Sequence, residues 1–288
     1  LLGTASDFRE NFSVPIENEH DPRAAEAFRK LVAPFMLRRM KTDKAIISDL
    51  PDCIVQDVMT TLLPEQAYLY QETLTRNLDA ISRAEANSRD KQVKRRALVL
   101  KLITELKQIC NSPSQYNKQW SETPDSAKAE TLFELLDECR ENGRKVLVFT
   151  QYREMGELLQ GWIAKKTGRK PEFLHGGVSV ARRAVMVDDF QNNPDSHILL
   201  VSLKAGGTGL NLTAASVVIH YDLWWNPAVE SQASDRAWRI GQQRDVLVYR
   251  FVTEGTFEER INEMLTEKRR ITDLAVSDRK STRLNSSH

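Results

Sequence analysis

The sequence predicts an α/β fold built on a parallel sheet with helices on both faces, preceded by a mostly helical region. Two observations carry this prediction. From Ala127 onward, short apolar runs alternate with helix-length amphipathic segments. Before Ala127 the chain is long, charged and helical in its periodicity, and prolines punctuate it. Strands that alternate with helices are joined by crossover connections, which give parallel pairing and a sheet buried on both sides.

The elements of the second region follow in order. Apolar residues at helical spacing over 132–139 predict a helix that ends near Gly143, and Lys145–Thr150 is expected to be a buried strand. A second helix is expected over 155–163. Thr256 and Glu259 have the spacing of a capping box, which predicts the start of a last helix. The remaining strands are expected at residues 173–175, 197–202, 217–221 and 246–252.

Composition leaves several classes open and excludes others. Lys plus Arg number 41 against 40 for Asp plus Glu, so any phosphate-binding surface must be a local patch. Three widely spaced cysteines fit neither a disulfide framework nor a metal cluster, which favours a reducing, intracellular setting. No apolar run approaches the roughly 18 residues of a membrane span, and we find no signal peptide. We therefore expect no membrane partner and no resident metal.

The loops after the strands carry unusual residues. Thr150 and Gln151 follow one strand, and Gly206, Gly207 and Gly209 follow another, with Lys204 just before them. Glycines let backbone amides approach a phosphate closely, and a lysine adds charge. The loop fits neither a nucleotide-cradling loop nor a dinucleotide fingerprint.

Two further motifs come after the next predicted strand. Trp224 and Trp225 are adjacent, and core packing explains one such ring more easily than both. Arg236 and Arg239 are spaced by one helical turn, so their guanidinium groups would share a helix face and could grip one phosphate tail. Taken alone, such a pair is usually a solvated helix face.

Together these segments resemble the second motor lobe of the Swi/Snf family, double-stranded-DNA translocating ATPases of helicase superfamily two. The resemblance rests on residues 146–152, 174–190, 199–212, 221–227 and 232–242, and its most specific motif is Asp-Arg-x-x-Arg-Ile-Gly-Gln at 235–242. It implies a RecA-like lobe over 127–279, a linking brace and helical insertion over 17–126, and the end of a first lobe over 1–16. Residues 280–288 have no periodicity and are expected to be a non-native or disordered tail.

The resemblance also implies roles for individual residues. Arg236 and Arg239 would be arginine fingers that reach the γ-phosphate of ATP, with Gly209 beside them at the ATP site. Trp225 would contact the DNA groove or strand and couple it to the ATP site. The remaining DNA contacts would be to phosphates, from Thr150, Gln151, Arg183, Lys204, Gly206 and Gly207. Such binding is expected to be sequence-tolerant and strongly salt-dependent.

The sequence lacks the first-lobe motifs that such a motor needs. We find no G-x-x-x-x-G-K-[ST] loop, and the acidic pair Asp137-Glu138 lies inside a predicted helix. ATP with Mg²⁺ is therefore expected to be bound mainly by a first lobe, and this fragment alone is expected to be inactive. Expected partners are double-stranded DNA, that first lobe and a DNA-bound protein target, in the bacterial cytoplasm or nucleoid, or in the nucleus of a eukaryote.

Two alternatives remain open. A non-catalytic DNA-binding or scaffold module could keep the same lobe, although it would not require Arg236 and Arg239. A sugar-nucleotide transferase lobe shares the alternating architecture, but the Asp-Arg-x-x-Arg run argues against it.

Overall fold

The computed structural model describes residues 4–17, 21–32, 50–86, 91–202 and 209–276. It divides the chain into two compact units. One comprises Leu1–Ser48 and Glu263–His288, and the other comprises Asp49–Asn262.

The described start of the first unit is helical, as predicted. It contains α1 (Ala5–Phe8), a π-helical turn (Arg9–Ser13), α2 (Val14–Glu17) and α3 (Pro22–Val32). Three aromatic rings pack together between these helices, with centroids 5.5 to 6.0 Å apart: Phe8, Phe12 and Phe28.

The second unit holds the sheet and most of the helices. Its elements in chain order are β1 (Cys53–Thr60), α4 (Pro64–Ala86), α5 (Lys91–Asn111), α6 (Pro113–Asn117), α7 (Ala127–Glu141), β2 (Lys145–Thr150), α8 (Arg153–Thr167), β3 (Glu172–Leu174), α9 (Val180–Asn192), β4 (Ile198–Ser202), β5 (Ala215–His220), α10 (Pro227–Ser234), β6 (Val246–Thr253) and α11 (Phe257–Val276). From Glu263 onward, α11 is assigned to the first unit.

The six strands form one parallel sheet in the order β1-β6-β5-β2-β4-β3, which confirms the predicted fold class. Because side chains alternate along a strand, Val146 and Val148 of β2 join a buried cluster with α7 and α8. Leu147 and Phe149 join the opposite cluster with α9 and α10. The sheet is thus covered on both faces, as its apolar strands require.

The edge strand β1 was not predicted. It pairs with β6 in continuous parallel register from Cys53–Val246 to Thr60–Thr253. The compact unit that contains the sheet begins at Asp49, so the helical insertion is packed with the sheet. This division differs from the boundary expected near residue 127, which remains a prediction about domains in the family.

Helices α4 and α5 pack against each other through their own small core. Its buried members are Tyr70 on α4 and Leu102, Leu106, Ile109 and Cys110 on α5. Within the described part of the chain, no helix is both long and apolar enough to cross a lipid bilayer.

Candidate nucleotide and DNA site at the strand ends

A buried carboxylate organises the carboxyl ends of β2 and β5. Asp222 follows β5 and is fully buried. Its Oδ2 accepts hydrogen bonds from Thr150 Oγ1 at 2.5 Å and Asn111 Nδ2 at 3.3 Å, and its Oδ1 accepts one from the Gln151 amide at 2.9 Å. Burial raises the pKa of Asp222, and the nearby Lys107 and the hydrogen bonds from Thr150 and Gln151 oppose that rise. The parallel strands β2 and β5 bring Thr150 and Gln151 to Asp222 because their ends meet at one edge of the sheet. Asn111 reaches the carboxylate from the end of α5.

Thr150 lies against this carboxylate. Its side chain is fully buried, and its hydroxyl donates to Asp222 and accepts from the Tyr152 amide at 3.2 Å. In this structure the hydroxyl holds the loop after β5, and the expected phosphate contact of Thr150 stays a prediction.

Gln151 is half-buried and turned toward the same loop. Its backbone amide donates a hydrogen bond to Asp222, and its side-chain Nε2 donates to the carbonyl oxygen of Leu223 at 2.5 Å. Its side chain thus holds the segment that leads to the two tryptophans.

Lys107 reaches this loop from α5, although it is far away in sequence. Its Nζ also donates to the Leu223 carbonyl at 2.5 Å and lies 5.7 Å from the centre of the Trp225 ring. The side chain is buried, which lowers the pKa of Lys107, whereas the carboxylate of Asp222 favours its charged form. Sequence analysis missed Lys107, because its partners lie more than a hundred residues away.

The two adjacent tryptophans have different surroundings, as expected if core packing accounts for only one of the rings. Trp224 packs against the buried cluster under α9 and α10, and its amide donates to Glu230 Oε1 at 2.9 Å. Trp225 keeps 42% of its surface exposed. The structure thus separates a core ring from a ring that is available to a ligand.

A second buried network joins the helical insertion to the sheet. Lys128 of α7 forms an ion pair with Glu258 of α11 at 2.8 Å, and its Nζ also donates to Asn111 Oδ1 at 3.4 Å. Both charged side chains are 1% exposed. Asn111 links this pair to Asp222, so the polar groups form one connected set.

Arg236 and Arg239 lie in a series of turns beyond α10, so the predicted shared helix face is wrong. The helix ends at Ser234, with Asp235 as its C-cap. The carbonyl of Arg236 accepts from the Leu212 amide at 3.0 Å, which ties this turn to the segment after Gly209. Gln242 braces the same turn: its Nε2 donates to the carbonyls of Thr213, Ala215 and Ala237.

The two arginines differ in burial. Arg239 is exposed, whereas Arg236 is only 8% exposed. Within the described ranges, Nε and Nη1 of Arg236 are buried and have no hydrogen-bond partner. Burial lowers the pKa of Arg236. A buried guanidinium left with free donors is suited to an anion brought by a ligand.

Arg183 lies near the start of α9, and its side chain reaches the loop that follows β3. Its Nε donates to the Val178 carbonyl at 2.9 Å, and its Nη2 lies 3.3 Å from the carbonyls of His175 and Gly176. Arg183 thus holds the loop between β3 and α9. Nothing described joins it to Asp222 or to Arg236.

The glycine-rich loop is described only in part. Lys204, Gly206 and Gly207 lie outside the described residues, and their expected phosphate contacts stay predictions. Gly209 is described and has φ +26°, at the edge of the left-handed region that favours glycine.

Comparison with known families and proteins agrees with this arrangement. Residues 1–115 match the SNF2-related domain, and residues 127–241 match the helicase conserved C-terminal domain. A putative ATP-dependent helicase/translocase, YwqA of Bacillus subtilis, is 40% identical over 96% of this chain. The chain spans 29% of the length of that relative.

Two solved structures from Sulfolobus solfataricus are also similar. The SWI2/SNF2 ATPase core in complex with dsDNA has a TM-score of 0.68 and 37% identity, covering 96% of this chain and 57% of that one. The SWI2/SNF2 ATPase C-terminal domain has a TM-score of 0.64 and 33% identity, covering 76% of this chain and 87% of that domain.

Proposed function

Because the chain belongs to the SWI2/SNF2 ATPase family, we propose that it supplies the second motor lobe, with its brace and helical insertion, to an ATP-dependent translocase on duplex DNA. The reaction is hydrolysis of ATP to ADP and phosphate, coupled to movement along the duplex. The chain spans 29% of the length of the YwqA relative. That the whole protein contains a first motor lobe is therefore also proposed.

One observation carries the nucleotide half of the proposal. Arg236 carries a buried guanidinium whose Nε and Nη1 are unpartnered among the described residues. Its backbone carbonyl accepts from the Leu212 amide, in the segment that follows Gly209. A nucleotide phosphate fits these donors in charge and in hydrogen-bonding capacity. Arg239 lies three residues further on and is exposed, so it can reach a phosphate presented from a facing lobe.

Arg236 and Arg239 would act by electrostatic stabilisation. Positive groups aimed at the oxygens of a transferring phosphoryl group lower the barrier because charge on those oxygens is neutralised as the bond breaks. Mg²⁺, when bound, would neutralise the same phosphates. Across the described residues, no group of three acidic, histidine or cysteine side chains could hold a metal ion. We assign Mg²⁺ binding to the first lobe.

The DNA half of the proposal rests on the strand-end loops. Trp225 is the exposed ring of the tryptophan pair, and the Asp222 network fixes the loop that carries it. Lys204, Gly206 and Gly207 would contact phosphates of one strand. Gln151 and Arg183 would add contacts only by exchanging the carbonyl partners that they hold in this structure.

The test is ATP hydrolysis by a protein that contains this chain and the first motor lobe, measured with and without duplex DNA. We expect DNA to stimulate the wild type, and Arg239→Ala to lower the stimulated rate by about 10³-fold or more, the scale of an arginine finger. Arg140→Ala is the matched control, because Arg140 is an exposed arginine on α7 that the proposal gives no role.

Two outcomes would count against the proposal. Equal rates for the wild type and Arg239→Ala would make that arginine structural. Wild-type protein that binds duplex DNA but hydrolyses no ATP would favour the alternative of a non-catalytic DNA-binding or scaffold module.

A further inference from the structure

Two side chains converge on one carbonyl oxygen in the loop 222–226. Lys107 Nζ and Gln151 Nε2 each lie 2.5 Å from the oxygen of Leu223. On either side of it, the Asp222 carboxylate is held by Thr150 at the end of β2, and the Trp224 amide is held by Glu230. Hydrogen bonds thus hold the backbone at Leu223, just before Trp225.

Lys107 makes a contact with this loop that Gln151 does not make. Its ammonium lies 5.7 Å from the centre of the Trp225 ring, within the range of a cation–π interaction. An uncharged donor could satisfy the carbonyl, but a cation is attracted to the ring more strongly than an uncharged donor is. One side chain therefore holds both the backbone of the loop and its exposed ring.

Lys107 is buried between two regions of the sequence. It is 4% exposed, and burying an ammonium group is unfavourable unless its surroundings compensate. Its helix α5 lies in the region that matches the SNF2-related domain, whereas the loop lies in the region that matches the helicase C-terminal domain. Lys107 thus joins the helical insertion to the loop that carries Trp225.

We propose that Lys107 is a positioning residue, which holds the loop 222–226 and orients Trp225 for contact with DNA. Any movement of α5 would then be transmitted to the DNA-contacting ring. The orientation of Trp225 by Lys107 stands on the geometry alone, and its consequence for DNA binding rests on the function proposed above.

The first test observes Trp225 without DNA. The 288-residue chain is labelled with 5-fluorotryptophan, and its five tryptophan resonances are assigned by ¹⁹F NMR through single Trp→Phe variants. We expect Lys107→Met to shift or broaden the Trp225 resonance while the Trp120 and Trp162 resonances stay within their linewidths. We expect Lys107→Arg, which keeps a donor and a cation, to restore the signal in part.

Two control variants separate positioning from general loosening. Lys101→Met removes an exposed lysine of the same helix and should change nothing. Lys128→Met breaks the neighbouring buried pair without touching Leu223 or Trp225. A Trp225 resonance that is unchanged in Lys107→Met, or that moves equally in Lys128→Met, would overturn the proposal. If Lys107→Met does not fold, Lys107→Gln removes the cation but keeps a donor for the Leu223 carbonyl, and it should still shift the Trp225 resonance.

The second test asks whether Lys107 acts on DNA through Trp225. Fluorescence anisotropy with a labelled duplex gives the dissociation constant for Lys107→Met, Trp225→Phe and the double variant. We expect each single variant to weaken binding about 5-fold, and the double variant to be no weaker than Trp225→Phe. If the losses of affinity in Lys107→Met and Trp225→Phe multiply in the double variant, Lys107 does not act on DNA through Trp225, and the proposal is overturned. Unchanged binding in Trp225→Phe would instead refute the DNA contact proposed for Trp225, and the NMR result would stand apart from it.

Discussion

Two buried cations in the same compact unit differ in the partners that the fold gives them. Lys128 is 1% exposed and is paired with Glu258 at 2.8 Å, with Asn111 as a further acceptor. Arg236 is 8% exposed, and its Nε and Nη1 find no acceptor in the described part of the chain. Burial disfavours both charges, but only one of them is stabilised within the fold. The difference suggests that Lys128 serves the structure and that Arg236 is kept for a ligand.

The largest expected effect tests this contrast through stability. Lys128→Met should lower the free energy of unfolding by about 3–5 kcal/mol, because it leaves the Glu258 carboxylate buried without its partner. Arg236→Met should change it by less than about 1 kcal/mol, because no described interaction is lost. Urea unfolding followed by circular dichroism gives both values.

A double variant serves as the control for that experiment. Lys128→Met combined with Glu258→Gln removes both charges and should recover much of the lost stability. Equal destabilisation by Lys128→Met and Arg236→Met would remove the distinction between the two cations.

A smaller effect on stability is expected at Thr150, a third buried polar side chain of the same unit. Thr150→Val keeps the shape of the side chain but removes the hydroxyl that donates to Asp222, so the unfolding free energy should fall by about 1–3 kcal/mol. Thr104→Val, at an exposed position of α5, is the matched control. If Thr150 were a phosphate contact with no structural role, Thr150→Val would keep its stability and bind duplex DNA more weakly.

Much of the sheet could be predicted because its central strands are apolar throughout. β2, β4 and β5 are buried on both faces, so their sequences stand out from the helices between them. β1 was missed because it is an edge strand with exposed Ile54 and Val55 and with Asp57 in its middle. Asp57 is explained by a partner in the fold, since it pairs with Arg250 of β6 at 2.6 Å.

Short motifs single out candidate site residues where the chemistry is local in sequence. Arg236, Arg239 and Trp225 are such candidates, although the helix assumed for the arginines ends at Ser234. Local patterns could not show that Thr150 is buried against Asp222. They could not show Lys107 either, because an isolated lysine in a charged helix is indistinguishable from a solvated one until the loop folds over it.

The most direct test of the account measures DNA-stimulated ATP hydrolysis by Arg236→Met, in a protein that contains this chain and the first motor lobe. We predict a loss of about 10³-fold or more with wild-type stability and wild-type affinity for duplex DNA, since the guanidinium is kept for the nucleotide and not for the fold. Hydrolysis at the wild-type rate, together with a clear loss of stability, would contradict the account and would make Arg236 a structural residue.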